Sequence, residues 1–252
     1  MLLYKLTTSL EIAKQISVGI FRFYELTKYI KIEDTVGRLD KDECSVSFPK
    51  KEWSKFPEKL PTATLDGVEF KCASIKFSED YIKQYFVFCT SKVINDTVIR
   101  DSKYAVELHL DIFETFEMLL CPPKSDSLNA NGNKFFSHSP VAYYDIHNHP
   151  DPLLEDTWRE IYIKHSDFKH QHEYRAALFA SDHFFNRVRN EPMVIERNIF
   201  NKNGKKIDFN LKLSINSGID TDGWRYVQFD ISEFSANLKP EPSKIIEVGY
   251  AK

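Results

Sequence analysis

The sequence predicts a mixed α+β fold, a single strand-rich domain with a few helices. Three observations carry that prediction. Short runs of aromatic and β-branched residues recur along the chain, and few segments keep the period of an amphipathic helix. The third is compositional: 20 Phe, 12 Tyr and 3 Trp stand against 8 Gly in 252 residues, which favours strand packing with few tight glycine turns.

The elements follow in order. Leu2 to Leu6 reads as a short strand. Thr8-Ser-Leu-Glu11 has the spacing of a capping box, a hydroxyl followed three residues on by a carboxylate, so a helix opens there and runs through about Ile16. Gly19 releases the chain into a second extended piece, Ile20 to Tyr24. Residues 32–61 are charged and irregular, and Val68 to Phe77 and Tyr85 to Ser91 read as strands. Over 104–120, apolar character returns at Val106, Leu110, Phe113 and Phe116/Leu120, which predicts one helix with a buried face. The stretch 121–140, dense in Pro, Ser, Asn and Gly, predicts a surface loop or insertion inside a single 1–252 domain, because strand-like segments continue on both sides. Beyond it come Val141 to Ile146, a helix or turn at Leu154 to Tyr162, and further strands. These are Tyr174 to Phe179, Met193 to Arg197, Leu211 to Ile215, Trp224 to Ile231 and Ile245 to Tyr250.

Charge narrows the function classes. With 34 Lys+Arg against 37 Asp+Glu, the net charge is −3, unlike that of a dedicated nucleic-acid binder. The balance is uneven: residues 164–212 hold ten Lys/Arg against six acids, which leaves room for an anionic ligand. Lys5, Glu11 and Lys14 interrupt any secretory leader, and no uncharged apolar run reaches the roughly 18–20 residues of a membrane span. Four cysteines without a CxxC pair fit a reduced, cytoplasmic protein. GxGxxG, P-loop and GxSxG motifs are absent, so Rossmann dinucleotide binding, ATP hydrolysis and serine-hydrolase chemistry lack support.

Two constellations carry chemistry. Gln171, Glu173 and Arg175 share one face if the segment is extended, and a carboxylate beside an amide and a guanidinium suits a polar ligand and a developing cation. The other is histidine-rich: His147, His149, His165, His170 and His172 fall within 26 residues. On an extended strand Asp145, His147 and His149 would alternate onto one face as metal ligands.

The first constellation completes a longer order: Arg22 in Ile20-Phe-Arg-Phe23, Thr90/Ser91 in Phe86-Val-Phe-Cys-Thr-Ser91, then Gln171/Glu173. This order resembles the R-S-E pattern of ADP-ribosyltransferases, and Leu3-Tyr-Lys-Leu-Thr-Thr8 followed by a helix is similar to the start of that fold, with Lys5 where Arg or His is expected. The resemblance implies a split-sheet core and NAD as substrate, with transfer of ADP-ribose or cleavage of the nicotinamide bond and no metal. Arg22 would hold the pyrophosphate and Thr90/Ser91 would shape the nicotinamide pocket. Glu173 would bind the ribose and stabilise the oxocarbenium-like transition state, with Gln171 addressing the acceptor and Arg175 orienting the carboxylates. Asp40 and Glu43 would belong to a loop over the site.

The chain also resembles a family of uncharacterised bacterial and phage-associated proteins that share a domain of unknown function. The matching pieces are Arg22-Phe-Tyr-Glu-Leu-Thr-Lys-Tyr29, Glu33, Asp40-Lys-Asp-Glu43, Cys89-Thr-Ser91, and Lys164 with Phe168, Glu173 and Arg175. This second likeness implies a toxin, antiviral defence or counter-defence setting. Cys44 stands where Gly is expected, and Gln171 replaces the first acid of Glu-x-Glu, which implies an acceptor other than arginine or altered chemistry. The implied partners are a nucleotide and a protein or nucleic-acid acceptor, with no membrane. Two further readings stand beside this one. The first is a metal-dependent hydrolase or nuclease built on the 145–151 Asp/His cluster, and the second a non-enzymatic module whose aromatic surface binds a protein or small ligand.

Overall fold

The structure, a computed structural model, describes residues 1–31, 45–76, 78–99, 102–120, 135–149, 159–200, 206–232 and 243–248. Among them, ten strands form one antiparallel sheet. In chain order they are β1 (Leu2–Thr7), β2 (Ile20–Glu25), β3 (Tyr85–Ser91), β4 (Tyr104–His109), β5 (Phe136–Pro140), β6 (Glu173–Phe179), β7 (Met193–Phe200), β8 (Lys206–Ile219), β9 (Arg225–Asp230) and β10 (Ile245–Glu247). Their spatial order is β7-β8-β9-β2-β3-β1-β4-β10, with β6 along β3 and β5 beyond β6. Four helices matter here: α1 (Leu10–Ser17), α2 (Leu26–Lys31), α3 (Asp111–Leu120) and α4 (Asp182–Asn190). Three small strand pairs lie outside the sheet, 45–47 with 74–76, 62–65 with 68–71, and 142–144 with 163–165.

Alternation assigns the two sheet faces. Phe21 and Phe23 of β2, Phe86 and Phe88 of β3, Phe136 and Phe229 are all buried on one face, where α3 adds Phe113 and Phe116. Their rings meet mostly edge to face, as in Phe116–Phe229 at 5.1 Å and 78°, the arrangement the ring quadrupoles favour. Much of the aromatic excess is therefore core. On the opposite face Tyr85, Val87 and Ala177 pack with Leu26, Ile82 and Ile161, so β3 is covered on both sides.

The sheet forks at β3. One edge pairs with β6 over its full length, from Tyr85↔Phe179 to Ser91↔Glu173. Two strands share the other edge: β2 takes Phe86 and Val87, and β1 takes Ser91. In the gap between them the Cys89 carbonyl accepts a hydrogen bond from Lys5 Nζ at 2.9 Å. The ammonium thus satisfies a backbone acceptor left without a ladder partner on that edge.

Several sequence expectations change. The α1 cap is Ser9, whose hydroxyl accepts from Ile12 N, one residue beyond the Thr8 that the capping-box spacing selects. The 104–120 helix is two elements: β4 pairs with β1 from Thr7↔Tyr104 to Leu2↔His109, and only then does α3 begin. Val106 and Leu108 obey a period of two, while Val106, Leu110 and Phe113 also satisfy 3.6, and sheet pairing decides between them. Within the 121–140 loop, residues 121–134 lie outside the described residues, and Phe136–Pro140 is strand β5, held by Tyr174↔Pro140 to Leu178↔Phe136. Val68 to Phe77 divides into strands 68–71 and 74–76, which join different pairs. Helix α4, not anticipated, starts at the Ser181 cap and buries Phe185 and Val188. No helix among the described residues is long and apolar enough to cross a membrane.

Candidate functional site

The candidate site grows from the β3–β6 pairing. Ser91 is the direct cross-strand partner of Glu173, and Cys89 of Arg175, so all four belong to the face opposite the phenylalanine core. Thr90 does not: it alternates onto the core face, where its hydroxyl donates to the Tyr174 carbonyl at 3.0 Å. Gln171 is not on the strand either. It ends a 3-10 segment, Ser166–Gln171, and His172 at φ 46° turns the chain into β6. Gln171 still reaches the site, because its carbonyl accepts from Ser91 Oγ at 3.1 Å and its Oε1 from Lys164 Nζ at 3.0 Å.

Glu173 is the centre of a buried ionic cluster. Arg175 grips it with two donors, Nε to Oε1 at 2.7 Å and an Nη to Oε2 at 3.1 Å, and Lys164 Nζ lies 2.9 Å from Oε2. All three residues are at most 7% exposed. Arg175 also donates to the Ile161 carbonyl, and the Glu173 amide donates to the Tyr143 hydroxyl at 3.0 Å. Burial alone would push the Glu173 carboxyl up; the charges of Arg175 and then Lys164 outweigh it and hold the group well below the usual carboxylate range. Burial raises the Cys89 thiol to about 12, helped by the Glu173 charge. The thiol stays protonated and donates to Glu173, so it is no nucleophile.

Arg22 occupies the same sheet face one strand further, on β2. Its Nε donates to Gln228 Oε1 at 2.9 Å, and its guanidinium lies 5.0 Å from the Tyr226 ring centroid, so it is directed toward β9 and not toward the carboxylate. Asp40 and Glu43, assigned to a loop over the site, lie outside the described residues.

Asp145, His147 and His149 do not share a strand face. Asp145 Oδ1 accepts from the amides of His147 and Asn148, at 2.8 and 2.9 Å, and closes a turn. His147 stacks edge-on against Phe56, whereas His149 meets Phe48 and the Lys59 carbonyl. Among the described residues, no group of three or more His, Cys, Asp or Glu side chains could hold a metal ion.

The sequence brings Lys164 and Cys89 forward only as pieces of the second likeness, and Tyr143 only within the 141–146 segment; none of the three is expected at the carboxylate. Lys164 lies nine residues before Glu173 and reaches it only because the 3-10 segment folds back, which no strand or helix period signals. The chain matches no protein-family model, no curated protein and no solved structure.

Proposed function

We propose that the chain binds NAD at the border of the Glu173 cluster that Tyr143, Gln171 and His172 leave half-buried, and cleaves the bond between nicotinamide and ribose. ADP-ribose passes to an acceptor or to water. One observation carries the reading: Arg22, Ser91 and Glu173 stand on three neighbouring strands, on one face, with Ser91 directly opposite Glu173. The forked sheet and the chain order of the three residues add to it.

The chemistry matches the electrostatics. As the C1′–N bond breaks, its electron pair leaves with nicotinamide and a cationic ribose remains. Arg175 and Lys164 keep Glu173 ionised, and since their two charges leave the cluster at net +1, the carboxylate acts on that cation by direct contact with the ribose and not through the field of the cluster. An acceptor hydroxyl, amine or water then bonds to C1′ and releases a proton. Lys164 only donates, so it takes the amide oxygen of Gln171 and leaves the NH₂ to meet the acceptor. Half-buried Tyr143, Gln171 and His172 border the carboxylate.

The test is nicotinamide release from NAD by the folded wild type, Ser91→Ala and Glu173→Gln, with circular dichroism as a control for folding. Loss of the carboxylate is expected to lower the rate by about 10²–10³-fold, the range for removing one preorganised electrostatic group. Absence of release by folded wild type, with water and with protein and nucleic-acid acceptors, overturns the proposal.

A further inference from the structure

The 3-10 segment Ser166–Gln171 is anchored at its start by one side chain. His165 ends the strand 163–165 and is the N-cap of the segment: its Nδ1 accepts from the Asp167 amide at 3.3 Å. While it accepts there, a single ring proton must sit on Nε2. That nitrogen lies 3.3 Å from Glu52 Oε1, which comes from the four-residue helix Lys50–Trp53, and Asp167 Oδ2 reaches Nδ1 at 3.4 Å. The ring is therefore set between two carboxylates, one at each nitrogen, and His165 is only 7% exposed. The Tyr144 ring closes a third side edge-on at 5.5 Å, across the Tyr144↔His165 pairing, and Asp145 beside it lies within electrostatic reach.

These contacts cannot all be satisfied at once. With one ring proton the cap is made, but His165 Nε2 and Glu52 Oε2 are buried and make no hydrogen bond among the described residues. With two protons both nitrogens donate toward carboxylates, and the Asp167 amide loses its acceptor. We infer that His165 is a proton-operated latch on the segment 166–171. A proton taken up from solvent exchanges the amide cap for a second ion pair, Nδ1 to Asp167 Oδ2, and the first turn of the segment opens. Gln171 ends the same segment, so its contacts with Ser91 and Lys164 loosen in the protonated state. His170 does not act in this way: its Nδ1 faces the Asp167 carbonyl at 3.0 Å and carries a proton in either state. The latch takes from the proposed function only the place of Gln171 at the site and needs no NAD.

The test is hydrogen exchange of the Asp167 amide in the whole chain, read as a protection factor at about pH 8 and about pH 5.5, the span over which imidazoles titrate. Amides of β3 are the control for global opening. Protection in the wild type is expected to be about five-fold lower at the acid end, the range for losing one capping bond. His165→Asn keeps an oxygen for the amide but takes up no proton, and its protection is expected to be equal at the two pH values. Glu52→Gln removes one of the carboxylates that hold the imidazolium, so the loss of protection is expected to begin at lower pH. Wild-type protection independent of pH, an unaltered pH dependence in His165→Asn, or a loss that begins no lower in Glu52→Gln overturns the inference. Exchange is followed without substrate, so a chain that releases no nicotinamide loses the proposed function and keeps the latch.

Discussion

The Cys89 carbonyl accepts from Lys5 and its thiol donates to Glu173, linking the fork of the sheet to the buried carboxylate. Glu173 itself ties stability to acidity. Replacing it with Gln leaves Lys164 and Arg175 without the carboxylate between them, and breaking a buried pair in this way costs about 3–5 kcal/mol. The native carboxyl is depressed, so its contribution is fully present above the unfolded value near 4.3 and is lost as pH falls through the native value. The gap in urea midpoint between wild type and Glu173→Gln is expected to be wide at pH 7 and to narrow steadily below about pH 4. A gap independent of pH would show that the carboxylate's charge does not act. Glu173 and Arg175 are legible as a pair because a strand repeats every two residues. Gln171 is misread by the same rule, since the turn at His172 breaks the alternation.

At the scale of elements, the α1-to-β2 connection is the most constrained. Gly19 adopts φ +99°, and a Cβ there would lie 2.9 Å from Ile231 Cγ1. Gly19→Ala is expected to destabilise by at least the 1–2 kcal/mol of a left-handed alanine, read as a drop in urea midpoint with an unchanged slope. A neutral effect would mean that the connection adopts another path. The strands at 20–25 and 85–91 are legible because aromatic residues dominate them, and those at 2–7 and 173–179 because each is a short run with apolar and aromatic residues on both faces. The boundary between β4 and α3 is not, since Val106 to Phe113 satisfies both periods and long-range pairing with β1 chooses between them. Helix α4 carries its own signals, a Ser cap with Phe185 and Val188 three apart, in a segment otherwise dominated by charge.

For the whole molecule, the phenylalanine core joins every part of the sheet that the proposed site uses. Phe116 touches Phe21, Phe23, Phe136 and Phe229, from three strands that β3 and its neighbours hold together. Phe116→Ala is expected to cost about 3–5 kcal/mol and to lower Tm by roughly ten degrees in a scanning calorimeter. A shift of a degree or two would mean that the cluster repacks. The α+β class and the antiparallel, strand-rich character are legible from composition and alternation. Strand order is not, because nothing local tells β2 that its partner is β9; Arg22 and Gln228 are 206 residues apart.

That separation sets a timescale for a chain emerging from the ribosome. β3 is finished at residue 91 and β9 begins at residue 225, so β2 has its inner neighbour long before its outer one. At 5–20 residues per second the wait is on the order of ten seconds. During it the edge carrying Arg22 and Tyr24 stays open to chaperones and to other nascent chains, and the sheet closes only once residues 225–230 have emerged.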